Sequence, residues 1–134
     1  MSAGYSSTPL ARKLGIKPGF QIALMNEPDH YKDLFDDLPN DLVFDPDGNE
    51  LDFIHVFITQ RADLEALVRK MMPKLKKAGS LWISWPKGTS KISTDLNRDL
   101  IRETVLNIGL VDVKVAAIDT DWSGLKFMYR KKDR

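Results

Sequence analysis

The stretch from Leu51 to Gly88 constrains the fold of this chain more than any other feature, because it has the pattern of one β-α-β unit. Residues 51–59 are almost continuously apolar, which is typical of a strand covered on both faces in a parallel sheet. In residues 61–78 apolar side chains recur at helical spacing, and residues 80–85 are again mostly apolar. The pattern predicts two parallel strands joined by a right-handed helical crossover.

Two residues mark how the crossover helix is expected to end. Pro73 lies inside the helical pattern, so we expect it to kink the helix or to remove one backbone hydrogen bond. Gly79 follows the last periodic position, where a residue in the left-handed conformation commonly ends a helix. The helix is thus predicted to span about 18 residues and to reach Ala78.

The remaining segments predict strands and helices on both sides of this unit. Short apolar runs indicate strands at 20–25, 42–44, 110–118 and 125–130. Capping and terminating residues indicate helices at 8–15, 30–38 and 94–109. We expect Thr94 or Ser93 to cap the last helix and Gly109 to close it.

Length and composition indicate one domain over residues 1–134, with an N-terminal arm at 1–17 and a basic tail at 130–134. The chain has 134 residues, of which 43% are hydrophobic, enough to bury roughly two thirds of its unfolded surface. It has no cysteine, which excludes a disulfide framework and any thiolate site. No apolar run approaches the ~20 residues of a membrane span, so we expect a cytoplasmic protein without membrane contact.

Charge is unevenly distributed along the chain, although the net charge is only +1. Residues 27–52 contain ten acidic residues and one lysine, whereas residues 61–91 contain eight basic residues and two acidic ones. The small net charge does not indicate nucleic acid as a partner. The distribution is typical of two solvated faces of opposite sign. An anion-attracting side, and a homodimer formed through complementary patches, remain open.

The order of the predicted elements resembles that of class I S-adenosylmethionine-dependent methyltransferases. In that fold the last strand inserts antiparallel beside the previous two, as the final pair of predicted strands would here. Residues 51–56 and 72–81 look like its fourth strand, next helix and fifth strand. The resemblance implies a three-layer α/β Rossmann-like sandwich with a mostly parallel sheet and one antiparallel C-terminal strand. The implied strand order is 2-1-3-4-6-5.

Short motifs along the whole chain also resemble those of a small bacterial family of unknown function. The motifs are Thr8-Pro9-Leu10, Lys13-Leu14-Gly15-Ile16-Lys17, Ser84-Trp85-Pro86-Lys87, Thr94-Asp95-Leu96, Gly109-Leu110-Val111-Asp112-Val113-Lys114-Val115 and Trp122-Ser123-Gly124-Leu125-Lys126. This resemblance carries no known activity. It therefore implies a fold and leaves the function open.

Cofactor binding in the methyltransferases uses a Gly-rich turn after the first strand, where glycines let the backbone approach the ligand closely. Here the turn is Asn26-Glu27-Pro28, which has no glycine, lacks one N–H and adds a carboxylate. Two like charges about 4 Å apart repel by roughly 4 kcal/mol at an effective dielectric constant of about 20. We therefore expect no bound cofactor. Asp45 follows the next predicted strand and could imitate an acidic residue that holds ribose hydroxyls, although aspartates commonly form turns.

Ligands of open α/β sheets gather at the carboxyl ends of the strands. That rule collects residues from four predicted strand ends, namely Asn26, Glu27, Thr59, Arg61, Trp85, Lys87, Asp119, Asp121, Trp122 and Ser123. The segment 85–91 then leads towards the N-terminus of the 94–109 helix, so Lys87 and Lys91 are predicted to converge on an anion. Trp85 and Trp122 are expected either to clamp a planar ring or to cover the end of the core.

No recognised catalytic or metal-binding pattern is present. His55 lies within the central strand without a cysteine or second histidine in pattern, so we expect a buried, hydrogen-bonded histidine. The turn at 45–50 has its glycine two places too early for a calcium-binding loop. The serines lack a nucleophile-elbow motif. We therefore predict no catalytic, cofactor-binding or metal-binding residue.

The function predicted from the sequence is a non-catalytic binding or regulatory module with a pocket for a small anionic ligand. The candidate ligand-binding residues are Arg61, Trp85, Lys87, Lys91, Asp119, Asp121, Trp122 and Ser123. One alternative is a residual S-adenosylmethionine-dependent methyltransferase or another small-molecule transferase, with Asp119 or Asp121 as a base. A second alternative is a structural homo-oligomer or a protein-interaction domain.

Overall fold

A six-stranded sheet with helices on both faces forms the centre of the protein, in a computed structural model that describes residues 8–134. The strands are β1 (Gln21–Met25), β2 (Val43–Phe44), β3 (Leu51–Phe57), β4 (Leu75–Pro86), β5 (Leu110–Ala117) and β6 (Trp122–Tyr129). The helices are α1 (Leu10–Leu14), α2 (Arg61–Met71) and α3 (Arg98–Ile108), and short 3-10 turns lie at Tyr31–Leu34, Met72–Lys74 and Lys131–Asp133.

The strand order is β2-β1-β3-β4-β6-β5, which confirms the predicted order. β1 pairs in parallel with β2 and β3, and β3 pairs in parallel with β4. β6 is antiparallel to both of its neighbours, β4 and β5. The predicted Rossmann-like sheet, mostly parallel with one antiparallel C-terminal strand, is therefore confirmed. Among residues 8–134, no helix is long and apolar enough to cross a membrane.

Two hydrophobic clusters cover the two faces of the sheet, because successive residues of a strand point to opposite sides. Ile54 of β3 belongs to the first cluster, together with Val68 of α2 and Ile101 of α3. Phe53 of β3 belongs to the second cluster, together with Leu14 of α1 and residues of the 3-10 turn at 31–34. The protein therefore has three layers, as predicted.

The crossover helix ends seven residues earlier than predicted, at Met71. Pro73 stands in a 3-10 turn, since it cannot donate the backbone hydrogen bond that would continue an α-helix. The chain then enters β4, so the prediction that Gly79 ends the helix is wrong. A side chain at position 79 would clash with the neighbouring strand, because a Cβ atom there would lie 2.9 Å from the carbonyl oxygen of Leu51.

The predicted helix at 30–38 is also wrong, because only the 3-10 turn at 31–34 forms and Phe35 is extended. The carboxylate of Asp37 instead accepts the backbone N–H groups of Ala11 and Arg12, at 2.9 and 3.0 Å. Asp37 thus caps α1 from a distant part of the chain. The short N-terminal helix is confirmed, and Gly15 ends it in the left-handed conformation with φ of 83°.

Two boundaries near the candidate site differ from the predicted ones. α3 begins at Arg98 and is capped by Asn97, whose side chain accepts the N–H of Leu100 at 2.8 Å. The prediction that Thr94 or Ser93 caps it is therefore wrong, whereas Gly109 does end the helix. β6 begins at Trp122, so residues 122–124 are part of a strand and not of a loop.

Candidate functional site

A cavity of about 450 Å³ lies at the carboxyl end of β4, beside the loop 87–97 that joins β4 to α3. We refer to it as the loop cavity. Its volume is within the range of small-molecule sites. Its floor includes Trp85, and its polar lining consists of Lys87, Ser90, Lys91, Ser93, Thr94 and Asn97.

Hydrogen bonds from both ends hold the loop in place. The backbone N–H of Lys87 donates to the carbonyl of Asp121 at 2.8 Å, and the Ser90 hydroxyl donates to the Asp121 carboxylate at 2.8 Å. Further along, the Thr94 hydroxyl donates to the carbonyl of Thr59 at 2.7 Å. The loop is therefore tied to the β5–β6 turn and to the segment that follows β3. These bonds preform the cavity in the structure.

Two ammonium groups belong to this lining. Lys91 is exposed and Lys87 is half-buried. Within residues 8–134, neither side chain forms an ion pair or a side-chain hydrogen bond. The described residues that line the loop cavity include no carboxylate. The charge offered to a ligand in the loop cavity is therefore positive.

The structure brings only part of the predicted residue set together. Trp85, Lys87 and Lys91 line the loop cavity, and Asp121 supports its loop. Asp119 accepts the N–H groups of Asp121 and Trp122, both at 2.8 Å, so its carboxylate shapes the β5–β6 turn. The other oxygen of the Asp119 carboxylate lies 3.6 Å from Nε2 of His30, whose side chain is exposed.

The two tryptophans cover the core and do not form a ring clamp with each other. Trp85 belongs to the first hydrophobic cluster and Trp122 to the second, on the other face of the sheet. Both indoles are buried parts of the core. Ser123 pairs with Trp85 across the strands. Arg61 begins α2 with an exposed side chain, and its N–H donates to the Asp95 carboxylate at 2.6 Å.

A buried polar triad of Tyr31, His55 and Ser84 was only partly predicted. Nδ1 of His55 lies 2.9 Å from the Tyr31 hydroxyl, and Nε2 lies 2.7 Å from the Ser84 hydroxyl. All three side chains are buried, and burial lowers the pKa of His55 to about 3. The prediction of a buried, hydrogen-bonded His55 is confirmed. No sequence signal indicated its partners, which lie 24 and 29 residues away.

The triad satisfies its own hydrogen bonds and lies within aromatic side chains. The His55 ring stacks on Phe57 with 4.3 Å between centroids, and Phe53 contacts it edge-on. A neutral imidazole has one N–H donor and one acceptor nitrogen, so it accepts from one hydroxyl and donates to the other. The burial of both hydroxyls and the histidine indicates a structural role for the triad.

The turn after β1 does not fit an S-adenosylmethionine cofactor. Asn26 takes the left-handed conformation, with φ of 58°, that a glycine adopts more readily. Glu27 and Pro28 line a cavity of about 440 Å³ beside it; Glu27 adds a carboxylate there, and Pro28 has no backbone N–H. Asp45, at the end of β2, accepts the N–H of Asp47 at 3.1 Å within its own turn. The turn after β1 thus has a left-handed residue but no glycine, one N–H fewer and an added carboxylate.

Metal-binding clusters are not found in the described part of the chain. No group of three or more His, Cys, Asp or Glu side chains within residues 8–134 is arranged to hold a metal ion.

The outer strand β5 presents an apolar edge at one side of the sheet. Val113 and Val115 are half-exposed there. A register irregularity lies between Asp112 and Lys114, which places Val113 at a bulge. Bulges disrupt the regular row of backbone groups to which another strand would bind. The geometry of β5 therefore gives little support to a dimer formed by strand pairing.

Comparisons with known proteins identify the fold. No family model and no curated protein matches the chain. Its structure is similar to a ribosomal protein L11 methylase from Lactobacillus delbrueckii, with 11% identity, a TM-score of 0.60 and coverage of 90% of this chain and 74% of that chain. It is similar to a SAM-dependent methyltransferase from Aquifex aeolicus, with 11% identity, a TM-score of 0.52 and coverage of 90% and 87%.

A third similar structure is that of Aeropyrum pernix fibrillarin with natively bound S-adenosyl-L-methionine. It shares 12% identity with this chain, with a TM-score of 0.55 and coverage of 89% of this chain and 73% of that chain. Together the neighbours show that this is a Rossmann-like protein with the class I methyltransferase fold. Identities of this size show the fold alone. The resemblance to a small bacterial family therefore stays a prediction.

Proposed function

We propose that the protein binds a small molecule through an anionic group that lies in the loop cavity. The observation that carries this proposal is the position of Lys87 and Lys91 on a loop held by hydrogen bonds, beside about 450 Å³ of open space. Sites in open α/β sheets lie at the carboxyl ends of strands, as this cavity does. The ligand class is a phosphate ester or a carboxylate of small size.

The donors around the cavity favour an anion over a neutral ligand. Each ammonium group offers three N–H donors and no acceptor, and the Ser93 hydroxyl lies in the same lining. Hydrogen bonds between a cation and an anionic oxygen are roughly twice as strong as neutral ones. Asp121 lies outside the cavity lining, and its carboxylate accepts the Ser90 hydroxyl at 2.8 Å. These features support one anionic group near Lys87 and Lys91.

Replacement of Lys91 by alanine tests this site. We expect Lys91→Ala to weaken the binding of inorganic phosphate or of a sugar phosphate about 10-fold or more, since a hydrogen bond to a charged group contributes about 1.5–3 kcal/mol. Isothermal titration calorimetry at low salt measures the affinity. Lys70→Ala is the matched control, because Lys70 is an exposed lysine of α2 and lies outside the cavity lining. If the wild type, Lys91→Ala and Lys87→Ala bind phosphate with equal affinity, the loop cavity is not the binding site.

Methyl transfer is the second candidate function, and the comparisons favour it over a purely non-catalytic role. The methylase, the methyltransferase and the cofactor-bound fibrillarin share this fold. The left-handed turn at Asn26 follows β1, as the cofactor turn follows the first strand in the methyltransferases that this fold resembles. Glu27 and Pro28 nevertheless offer that cofactor a repelling carboxylate and a missing donor. We therefore rank anion binding in the loop cavity first.

Binding of S-adenosylhomocysteine separates the two candidates. We expect no thermal stabilisation of the wild-type protein by this compound, because the turn at 26–28 does not fit it. A ligand at about 100 times its dissociation constant adds about 2.7 kcal/mol to the free energy of unfolding, which a thermal-shift assay detects. Inorganic phosphate under the same conditions serves as the comparison ligand. Clear stabilisation by S-adenosylhomocysteine would establish the cofactor site and restore methyl transfer as the leading function.

A further inference from the structure

Five lysines that are far apart in the sequence lie together on the α1 side of the molecule. They come from α1, from the segment after it, from the end of β4, from β5 and from β6. We refer to them as the lysine face, which consists of Lys13, Lys17, Lys87, Lys114 and Lys126. The folded structure, and not the order of residues in the chain, creates this concentration of charge.

Hydrogen bonds and strand register fix the centre of the lysine face. The Lys114 ammonium donates to the carbonyl oxygen of Lys13 at 3.0 Å, and the Lys13 ammonium donates to that of Ala117 at 3.0 Å. Lys126 is the cross-strand partner of Lys114. Its ammonium lies 3.7 Å from the position that a Cβ atom would take at Gly15. These amines therefore surround the C-terminal end of α1.

The amines of the lysine face repel one another. Burial lowers the pKa of Lys13, and repulsion by Lys114 and Lys87 lowers it further. Burial likewise lowers the pKa of Lys126, with added repulsion from Lys114 and Lys17. In the part of the chain from residue 8 onwards, none of the five forms an ion pair with a carboxylate. An external anion would relieve this repulsion.

The five amines form a connected group of like charges. Lys13 is repelled by Lys114 and Lys87, and Lys126 is repelled by Lys114 and Lys17. A single phosphate group contacts only part of such a group, whereas a chain of phosphates contacts more of it. Among the described residues, the exposed large hydrophobic side chains are all aliphatic. Within those residues, the lysine face therefore has no exposed aromatic ring on which a base could stack.

We propose that the lysine face binds the sugar–phosphate backbone of a nucleic-acid duplex without reading its sequence. Contacts from lysine to phosphate position a protein on a duplex and carry no sequence information. The net charge of +1 conceals this surface, because ten acidic residues are concentrated in residues 27–52. This proposal is independent of the loop cavity, although Lys87 belongs to both.

Fluorescence anisotropy with short labelled DNA and RNA duplexes tests the proposal on the full chain. For five phosphate contacts the logarithm of the association constant is expected to fall with the logarithm of salt concentration with a slope of about −4.5. Lys17→Gln/Lys114→Gln should reduce the slope to about −2.7 and weaken binding roughly 10-fold at low salt. Lys70→Ala/Lys132→Ala removes the same charge from exposed lysines elsewhere and should leave the slope unchanged.

Two further measurements make the outcome decisive. Thermal unfolding shows whether Lys17→Gln/Lys114→Gln is folded, and Lys17→Glu alone provides a charge reversal at an exposed position. Weaker binding of DNA and RNA alike by folded variants supports backbone recognition. Equal binding by the wild type and the lysine-face variants would overturn the proposal, as would no duplex binding at low salt. Binding of inorganic polyphosphate without binding of either duplex would also overturn it.

Discussion

Trp82→Ala is expected to lower the free energy of unfolding by about 4–5 kcal/mol, one of the largest effects of any single substitution in this protein. Trp82 is a residue of β4 and is fully buried in the second hydrophobic cluster, which also contains Leu14 of α1. Its indole N–H donates to the carbonyl of Leu14 at 3.0 Å, so truncation leaves both a cavity and an unpaired carbonyl at the end of α1. Urea denaturation followed by circular dichroism measures the change.

Trp82→Phe is the matched control for this substitution. Phenylalanine keeps most of the apolar volume and removes only the N–H donor, so we expect a smaller loss of about 1–2 kcal/mol. A loss below about 1 kcal/mol in Trp82→Ala would contradict the packing described for the second cluster. It would also show that α1 does not depend on Trp82 for its position on the sheet.

Acid is expected to destabilise the protein through His55. Its pKa is about 3 in the folded protein and 6.5 in the unfolded chain, so below pH 6.5 the unfolded state binds a proton that the folded state does not. The stability that neutral His55 contributes is complete above pH 6.5 and is lost progressively as the pH falls towards 3. At about pH 4.5 this loss amounts to about 2.7 kcal/mol.

His55→Gln isolates this contribution, because glutamine does not titrate. Protonation of the carboxylates affects both proteins, so the difference in unfolding free energy between wild type and variant should shrink by about 2.7 kcal/mol between about pH 7.5 and about pH 4.5. His30→Gln is the control, since His30 is the other histidine and is exposed. A difference between wild type and His55→Gln that does not change with pH would show that His55 is not a buried neutral imidazole.

Much of the sheet could be predicted from the sequence, because the signals involved are local. The apolar run at 51–57 indicates a strand covered on both faces, and the hairpin of β5 and β6 indicates the antiparallel end of the sheet. The errors arise where distant parts of the chain meet. Gly79 belongs to β4 because it passes close to the carbonyl of Leu51, and Asp37 leaves a predicted helix to cap α1. Local patterns contain no information about either contact.

The same distinction applies to the candidate sites. Lys87 and Lys91 are near neighbours in the sequence, so their presence on one loop could be predicted. The triad of Tyr31, His55 and Ser84 depends on register between separate strands and turns. The bond from Lys114 to Lys13 joins residues 101 positions apart, so the lysine face could not be predicted either. Net charge even argued against a charged surface of this kind.

A nuclear magnetic resonance titration of the ¹⁵N-labelled wild-type protein with inorganic phosphate tests most directly whether an anion binds in the loop cavity. We expect saturable shifts of the backbone amides in residues 87–97 and of Asp121, whose carbonyl and carboxylate hold that loop. Saturable shifts confined to the turn at Asn26, or no saturable shift at any amide, would contradict binding in the loop cavity.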